Sequence, residues 1–141
     1  MEYIAKSLAD TEKLAKKFAK SLHGGERILL NGDLGTGKTT FTKYLAKALG
    51  VKDDVTSPTF TILKSYKGKK YTLNHFDMYR LSGGTEATGF GFEDYLYDLD
   101  DNSIVIIEWS EMVKDILSGD FIVINITRLS DTERKFEIIE G

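Results

Sequence analysis

The segment Gly32-Asp33-Leu34-Gly35-Thr36-Gly37-Lys38-Thr39 constrains this chain more than any other. Two glycines bracket four residues, then a lysine and a hydroxyl residue follow. The glycines let the backbone curl so that successive N–H groups converge on one centre, a cradle for phosphate oxygens. Lys38 can reach outer phosphates, and the Thr39 hydroxyl can ligate the Mg²⁺ that travels with a nucleotide. A helix opening here adds the positive end of its dipole. The flanks supply what such a loop requires. Residues 26–31 form a short apolar run fit for a strand, and Phe41, Leu45, Ala48 and Leu49 then recur at helical spacing before Gly50. A strand–loop–helix unit is therefore expected, not a bare glycine-rich turn.

The rest of the chain reads as strands mixed with helices. Residues 1–4 are an extended lead-in. Ser7-Leu8-Ala9-Asp10 resembles a capping box, with Asp10 or Thr11 as alternative caps. Leu14, Phe18 and Leu22, with Ala15 and Ala19, make one apolar helix face, and Gly24-Gly25 end it. The one proline, Pro58, marks residues 55–60 as an extended loop. Residues 60–66 and 71–76 are two strands of a hairpin around Lys67-Gly68-Lys69-Lys70. Residues 82–91, with four glycines and two threonines, read as a mobile loop, and 92–99 as a short helix with an acidic face. Ile104, Val105, Ile106 and Ile107 run unbroken into Glu108, the pattern of a central parallel strand. A short helix over 111–117, ended by Gly119, precedes two last strands, 121–126 and 135–139, joined by a turn over 128–134. The expected fold is α/β: a P-loop NTPase-like three-layer sandwich with a mixed, mainly parallel sheet and antiparallel hairpins. Ligand then sits at the carboxyl ends of the parallel strands, where Gly32 and Glu108 fall.

Bulk properties narrow the class. At 141 residues, 1–141 is most simply a single P-loop domain, and 41% apolar content is enough to fill a core. No apolar run has membrane-spanning length and no secretory layout opens the chain, which predicts a cytoplasmic protein without membrane contact. The absence of cysteine excludes disulfides and thiolate metal sites. A net charge of −3 disfavours nucleic-acid binding by bulk electrostatics.

A phosphate loop alone only binds; hydrolysis or transfer needs a carboxylate near Mg²⁺ and a group that orients the nucleophile. Glu108 is the candidate carboxylate, as a Mg²⁺ ligand (direct or through water), as a water activator, or as an ordinary strand-end acid. Trp109 either covers the nucleotide or packs. His75 and Asp77 share a strand face. Asp77 either orients the attacking water, holds a magnesium-bound water, or pairs with Arg80. His75 alone reads more readily as structural. Thr56, Ser57 and Thr59 form either a switch segment sensing the γ-phosphate or a plain loop. Lys64, Lys67, Lys69 and Lys70 read first as a solvated turn and second as a contact for RNA or an acidic partner. Glu93, Asp94, Asp98, Asp100 and Asp101 read as a solvated face.

Residues 32–40 (Gly-Asp-Leu-Gly-Thr-Gly-Lys-Thr-Thr), 57–60 (Ser-Pro-Thr-Phe), 75–80 (His-Phe-Asp-Met-Tyr-Arg) and 107–109 (Ile-Glu-Trp) come in an order and spacing that resembles the bacterial TsaE (YjeE) family. The resemblance spans about residues 3–140. It implies an ATPase, with ATP and Mg²⁺ as cofactors, that serves the TsaB–TsaD pair in making N6-threonylcarbamoyladenosine in the anticodon loop of ANN-decoding tRNAs. ATP hydrolysis would reset that complex between turnovers, and tRNA would be met through the complex rather than directly. It also implies that Asp33, Leu34, Gly35, Thr36, Gly37, Lys38, Thr39 and Thr40 bind nucleotide and that Thr11 lies near it. Thr39 and Glu108 would serve Mg²⁺, and Lys38, Asp77, Glu108 and Trp109 would be needed for activity. Residues 82–91 depart from it, being richer in glycine than the family's acidic helical lead.

Two other functions share the phosphate loop: a small-molecule kinase, and a nucleotide-gated binding module in which turnover is incidental. Kinases gather arginines around the transferred phosphate under a water-excluding lid. The four arginines here, Arg27, Arg80, Arg128 and Arg134, are scattered. Their scarcity also predicts slow hydrolysis by the isolated chain, stimulated by a partner that supplies charge or orders a loop.

Overall fold

The computed structural model describes residues 1–33, 36–56, 58, 62–79, 81, 87, 89, 91–97 and 101–140. Strands β1 (Glu2–Ala5), β2 (Arg27–Asn31), β3 (Leu63–Lys67), β4 (Thr72–Asp77), β5 (Ser103–Glu108), β6 (Ile122–Arg128) and β7 (Arg134–Glu140) form one sheet. Its order is β1-β7-β6-β2-β5-β4-β3. The centre is parallel: β6, β2, β5 and β4 run the same way. The flanks are antiparallel, with the β3–β4 and β6–β7 hairpins and β1 paired to β7. The extended lead-in of the sequence is thus an edge strand.

Helices cover both faces. On one face α1 (Leu8–Ser21) and α2 (Lys38–Ala48) pack on Ile28, Leu30, Leu73, Ile104, Ile106 and Ile124. Phe41 of α2 is fully buried there, with its ring 6.1 Å from that of Phe18 and 5.5 Å from that of Phe136. Burying such a side chain contributes about 1.5–3 kcal/mol. On the other face α3 (Phe92–Tyr97) and a 3₁₀ helix (Ser110–Ile116) pack on Phe76, Val105 and Ile107. This is the three-layer α/β arrangement that the sequence predicts. β5, enclosed on both faces, explains its own unbroken apolar run.

Local chemistry sets the boundaries. Ser7 is the cap of α1, its Oγ accepting from the Asp10 amide at 3.3 Å, while Asp10 Oδ2 accepts from the Lys6 amide at 2.9 Å. In α2 the buried stripe is Phe41, Thr42, Leu45 and Ala46, continued by Leu49; Ala48 is exposed, so the stripe expected from the sequence is rotated there by half a turn. The segment expected as a helix over 111–117 is a 3₁₀ helix broken at Val113, whose φ is −130°. No helix of the described residues is long and apolar enough to cross a membrane.

Candidate functional site

β2 ends at Asn31, and the chain turns back at once. A Cβ on Gly32 would stand 2.5 Å from Thr36 Oγ1 and 2.9 Å from the Ile126 carbonyl oxygen, so only glycine fits. Thr36 closes the turn on Asp33, its amide and hydroxyl both donating to the Asp33 carbonyl, at 3.2 and 2.8 Å. Gly37, at φ 101°, takes the left-handed conformation from which α2 starts at Lys38. Arg134 at the head of β7 braces the loop, its Nε donating to the Thr36 carbonyl at 3.0 Å. Asp33 is exposed; Thr39 and Thr40 are half-buried in the first turn of α2. Leu34 and Gly35 lie outside the described residues.

Lys38 points from α2 toward the ends of β4 and β5. Its side chain is buried, with Nζ 4.0 Å from Glu108 Oε1 and 4.1 Å from the centre of the Trp109 ring. A cation held over an indole face in a dry site is stabilised by about 2 kcal/mol. Trp109 is in turn stacked obliquely against Tyr79, ring centres 4.9 Å apart. Asp77 and Glu108 are paired in register across β4 and β5, and both carboxylates are buried. Asp77 Oδ1 accepts from the Tyr79 amide at 2.9 Å. Arg80, its alternative ion-pair partner, lies outside the described residues.

Two findings here were not expected from the sequence. His75, read as structural, makes a hydrogen bond between its Nε2 and Glu108 Oε2. Among the described residues, the only two non-glycines with left-handed backbone, Ile62 (φ 69°) and Trp109 (φ 57°), flank this pair. The Ile62 carbonyl accepts from the Asp77 amide at 2.8 Å, and Trp109 follows Glu108 directly. Strain of this kind costs about 1–3 kcal/mol and persists where the surroundings hold it.

On the other side of the loop a cavity of about 640 Å³ opens between the start of α1, the start of α2 and the β6–β7 turn. Thr11, Thr36, Gly37, Thr40, Thr132 and Arg134 are among its lining residues. Its volume suits a small-molecule ligand. Thr11 thus lines the same cavity as Thr36 and Gly37 of the loop. Arg134 had no sequence signal, since its partner Thr36 is 98 residues away.

Behind the loop, on the α3 face, a row of side chains crosses the sheet. Ser110 Oγ donates to Asn31 Oδ1 (3.4 Å), Asn31 Nδ2 to Asn125 Oδ1 (3.1 Å), and Asn125 Nδ2 to Glu137 Oε1 (3.1 Å). Thr56 is tied to the hairpin, its amide donating to Tyr66 Oη and its Oγ1 accepting from Lys64 Nζ. Ser57 and Thr59 lie outside the described residues, as do 82–86, 88 and 90 of the glycine-rich segment and Asp98 and Asp100 of the acidic group. Lys67, Lys69 and Lys70 are exposed, whereas Lys64 is not part of that solvated tip.

The model of a family described as "Threonylcarbamoyl adenosine biosynthesis protein TsaE" matches residues 5–136. Among curated proteins, the tRNA threonylcarbamoyladenosine biosynthesis protein TsaE of Rickettsia conorii is 40% identical over 92% of this chain and 73% of its own length. The protein of that name from Treponema pallidum is 33% identical over 98% of this chain and 99% of its own. The crystal structure of Bacillus subtilis YdiB superposes with a TM-score of 0.81 at 30% identity, covering 99% of this chain and 84% of that one. The family match spans the loop, the Asp77–Glu108 pair and Trp109 alike, so the chain belongs to the TsaE family.

Proposed function

We propose that this chain is a Mg²⁺-dependent ATP hydrolase, the accessory subunit of the TsaB–TsaD pair in threonylcarbamoyladenosine synthesis on tRNA. The observation that carries this reading is the approach of buried Lys38 to buried Glu108, 4.0 Å apart at the mouth of the phosphate loop. In that arrangement the amides of the loop and of the first turn of α2 bind the phosphates, and Lys38 reaches the outermost one. The cavity beside Thr11 and Thr40 receives the base and sugar. Asp77, beside Glu108, orients the attacking water, and Trp109 fixes Lys38 while excluding solvent.

The residues present fit Mg²⁺. The donors are hard oxygens, the Thr39 hydroxyl and Glu108 Oε1, and no cluster of three or more His, Cys, Asp or Glu side chains suited to a metal occurs among the described residues. Mg²⁺ is commonly held by one or two carboxylates with the remaining positions left to phosphates and water. When bound, Mg²⁺ neutralises charge that develops on the transferred phosphoryl group.

The described arginines argue against a kinase. Arg27 lies at the opposite end of β2, Arg128 pairs with Asp131, and Arg134 donates to the carbonyls of Thr36, Ser130 and Glu133. A site to which no described arginine supplies a charge clamp is expected to hydrolyse slowly and to gain from a partner that supplies one. ATP hydrolysis by the purified chain, alone and with TsaB–TsaD of the same organism, tests this. We expect slow Mg²⁺-dependent hydrolysis that rises in the complex. Undiminished hydrolysis by Lys38→Ala would overturn the site, and a lack of stimulation would restore the kinase reading.

A further inference from the structure

His75 is fully buried on β4, on the same sheet face as Leu73 and Asp77. Its ring has one polar contact among the described residues, Nε2 to Glu108 Oε2; its Nδ1 has none. An ionised carboxylate has no hydrogen to give, so Nε2 carries it and donates. A buried imidazole with half of its polar capacity unmet is a poor packing element, and an apolar ring would fill this space without that penalty. The contact with Glu108 is therefore what the imidazole supplies.

The two oxygens of Glu108 face different ways. Oε2 is held by His75, while Oε1 stands 4.0 Å from Lys38 Nζ, the outer limit of an ion pair. Opposite charges this close and this deeply buried attract strongly and would close the gap if either were free to move. Each is instead restrained by a neighbour, Glu108 by His75 and Lys38 by the Trp109 ring. We infer that His75 is a positioning residue that holds the Glu108 carboxylate back from Lys38, so that the Lys38 ammonium stays available to phosphate and Oε1 stays turned to the loop.

The inference rests on the nucleotide-site reading but not on hydrolysis, and binding without metal tests it. ADP affinity is measured calorimetrically without Mg²⁺ for the parent, His75→Phe, His75→Gln, Glu108→Gln and the His75→Phe/Glu108→Gln double variant, after thermal melting shows each is folded. Glutamine carries its amide nitrogen as many bonds from the backbone as His75 Nε2, so it keeps the donor that phenylalanine lacks. We expect His75→Phe to bind ADP about tenfold more weakly, because the released carboxylate closes on Lys38 and takes up the charge that meets the phosphates. His75→Gln should bind close to the parent. The double variant should return to the affinity of Glu108→Gln, because a neutral amide does not close on Lys38. Parent-like binding by His75→Phe, failure of glutamine to rescue, or a loss that persists in the double variant would overturn the inference. ¹⁵N NMR of the parent imidazole tests the same contact without nucleotide: hydrogen on Nε2 supports it, and hydrogen on Nδ1 overturns it. If the parent binds ADP but does not hydrolyse ATP, the hydrolase reading fails and the role of His75 stands.

Discussion

The two faces of the sheet end differently at the carboxyl side of its parallel strands. On the α1–α2 face, His75, Asp77, Glu108 and Lys38 converge, and the ionic groups are held near one another without closing. On the α3 face, Ser110, Asn31, Asn125 and Glu137 pass hydrogen bonds from one element to the next across the sheet. What separates them is satisfaction: a hydrogen-bonded row of amides steadies the strand ends, whereas Lys38 and Glu108, 4.0 Å apart, leave room for a ligand to come between them.

The largest effect that would test this contrast is on Glu108. Glu108→Gln keeps shape and a hydrogen-bonding group but removes the charge. Steady-state hydrolysis in the TsaB–TsaD complex should fall about 10²–10³-fold, the scale of losing one group that meets charge in the transition state. The melting temperature should change little. A protein that hydrolyses normally with glutamine at this position would make Glu108 an ordinary strand-end acid and dissolve the contrast.

Asn125→Ala probes the other face. It leaves the Asn31 amide and Glu137 without their partner in a half-buried row, which should cost about 1–2 kcal/mol of stability in denaturant unfolding. Hydrolysis, measured well below the unfolding transition, should stay near that of the parent. A hydrolytic loss as deep as that of Glu108→Gln would mean that the amide row belongs to the active face, and the division between the faces would have to be withdrawn.

How far each row can be read from the sequence follows from the range of its contacts. The loop, β2 and α2 are local: glycine spacing, an apolar run and a helical period lie within about two dozen residues, and the strand and the helix form on either side of the loop where the pattern predicts them. Glu108 is legible because the strand it ends is buried on both faces. The pairing of His75 with Glu108 spans 33 residues and depends on the β4–β5 register, which no local pattern encodes. Arg134 reaches Thr36 across 98 residues, and Asn31 reaches Asn125 across 94, through strand order alone. The rotated stripe of α2 has a simpler cause. Alanine at positions 46 and 48 offers nearly the same chemistry, so packing against α1, not hydrophobicity, decides which is buried.

The corner where the faces meet offers the finest test. Trp109 follows Glu108 on the active side and precedes Ser110 of the amide row, and its φ of 57° is one that side chains rarely adopt. No glycine marks this turn in the sequence, and the indole packs against Lys38 and Tyr79. Removing the indole in two ways separates ring from backbone. Trp109→Ala and Trp109→Gly both lose the cation–π contact, and both should hydrolyse ATP more slowly than the parent. The alanine variant keeps a Cβ in the left-handed conformation, and the glycine variant does not. Glycine should therefore be the more stable of the two by about 1 kcal/mol, reversing the order normally found in regular structure. Equal stabilities, or alanine ahead, would show that the turn relaxes once the ring is gone, so that the left-handed backbone is a consequence of the indole's packing and not a fixed hinge between the two faces.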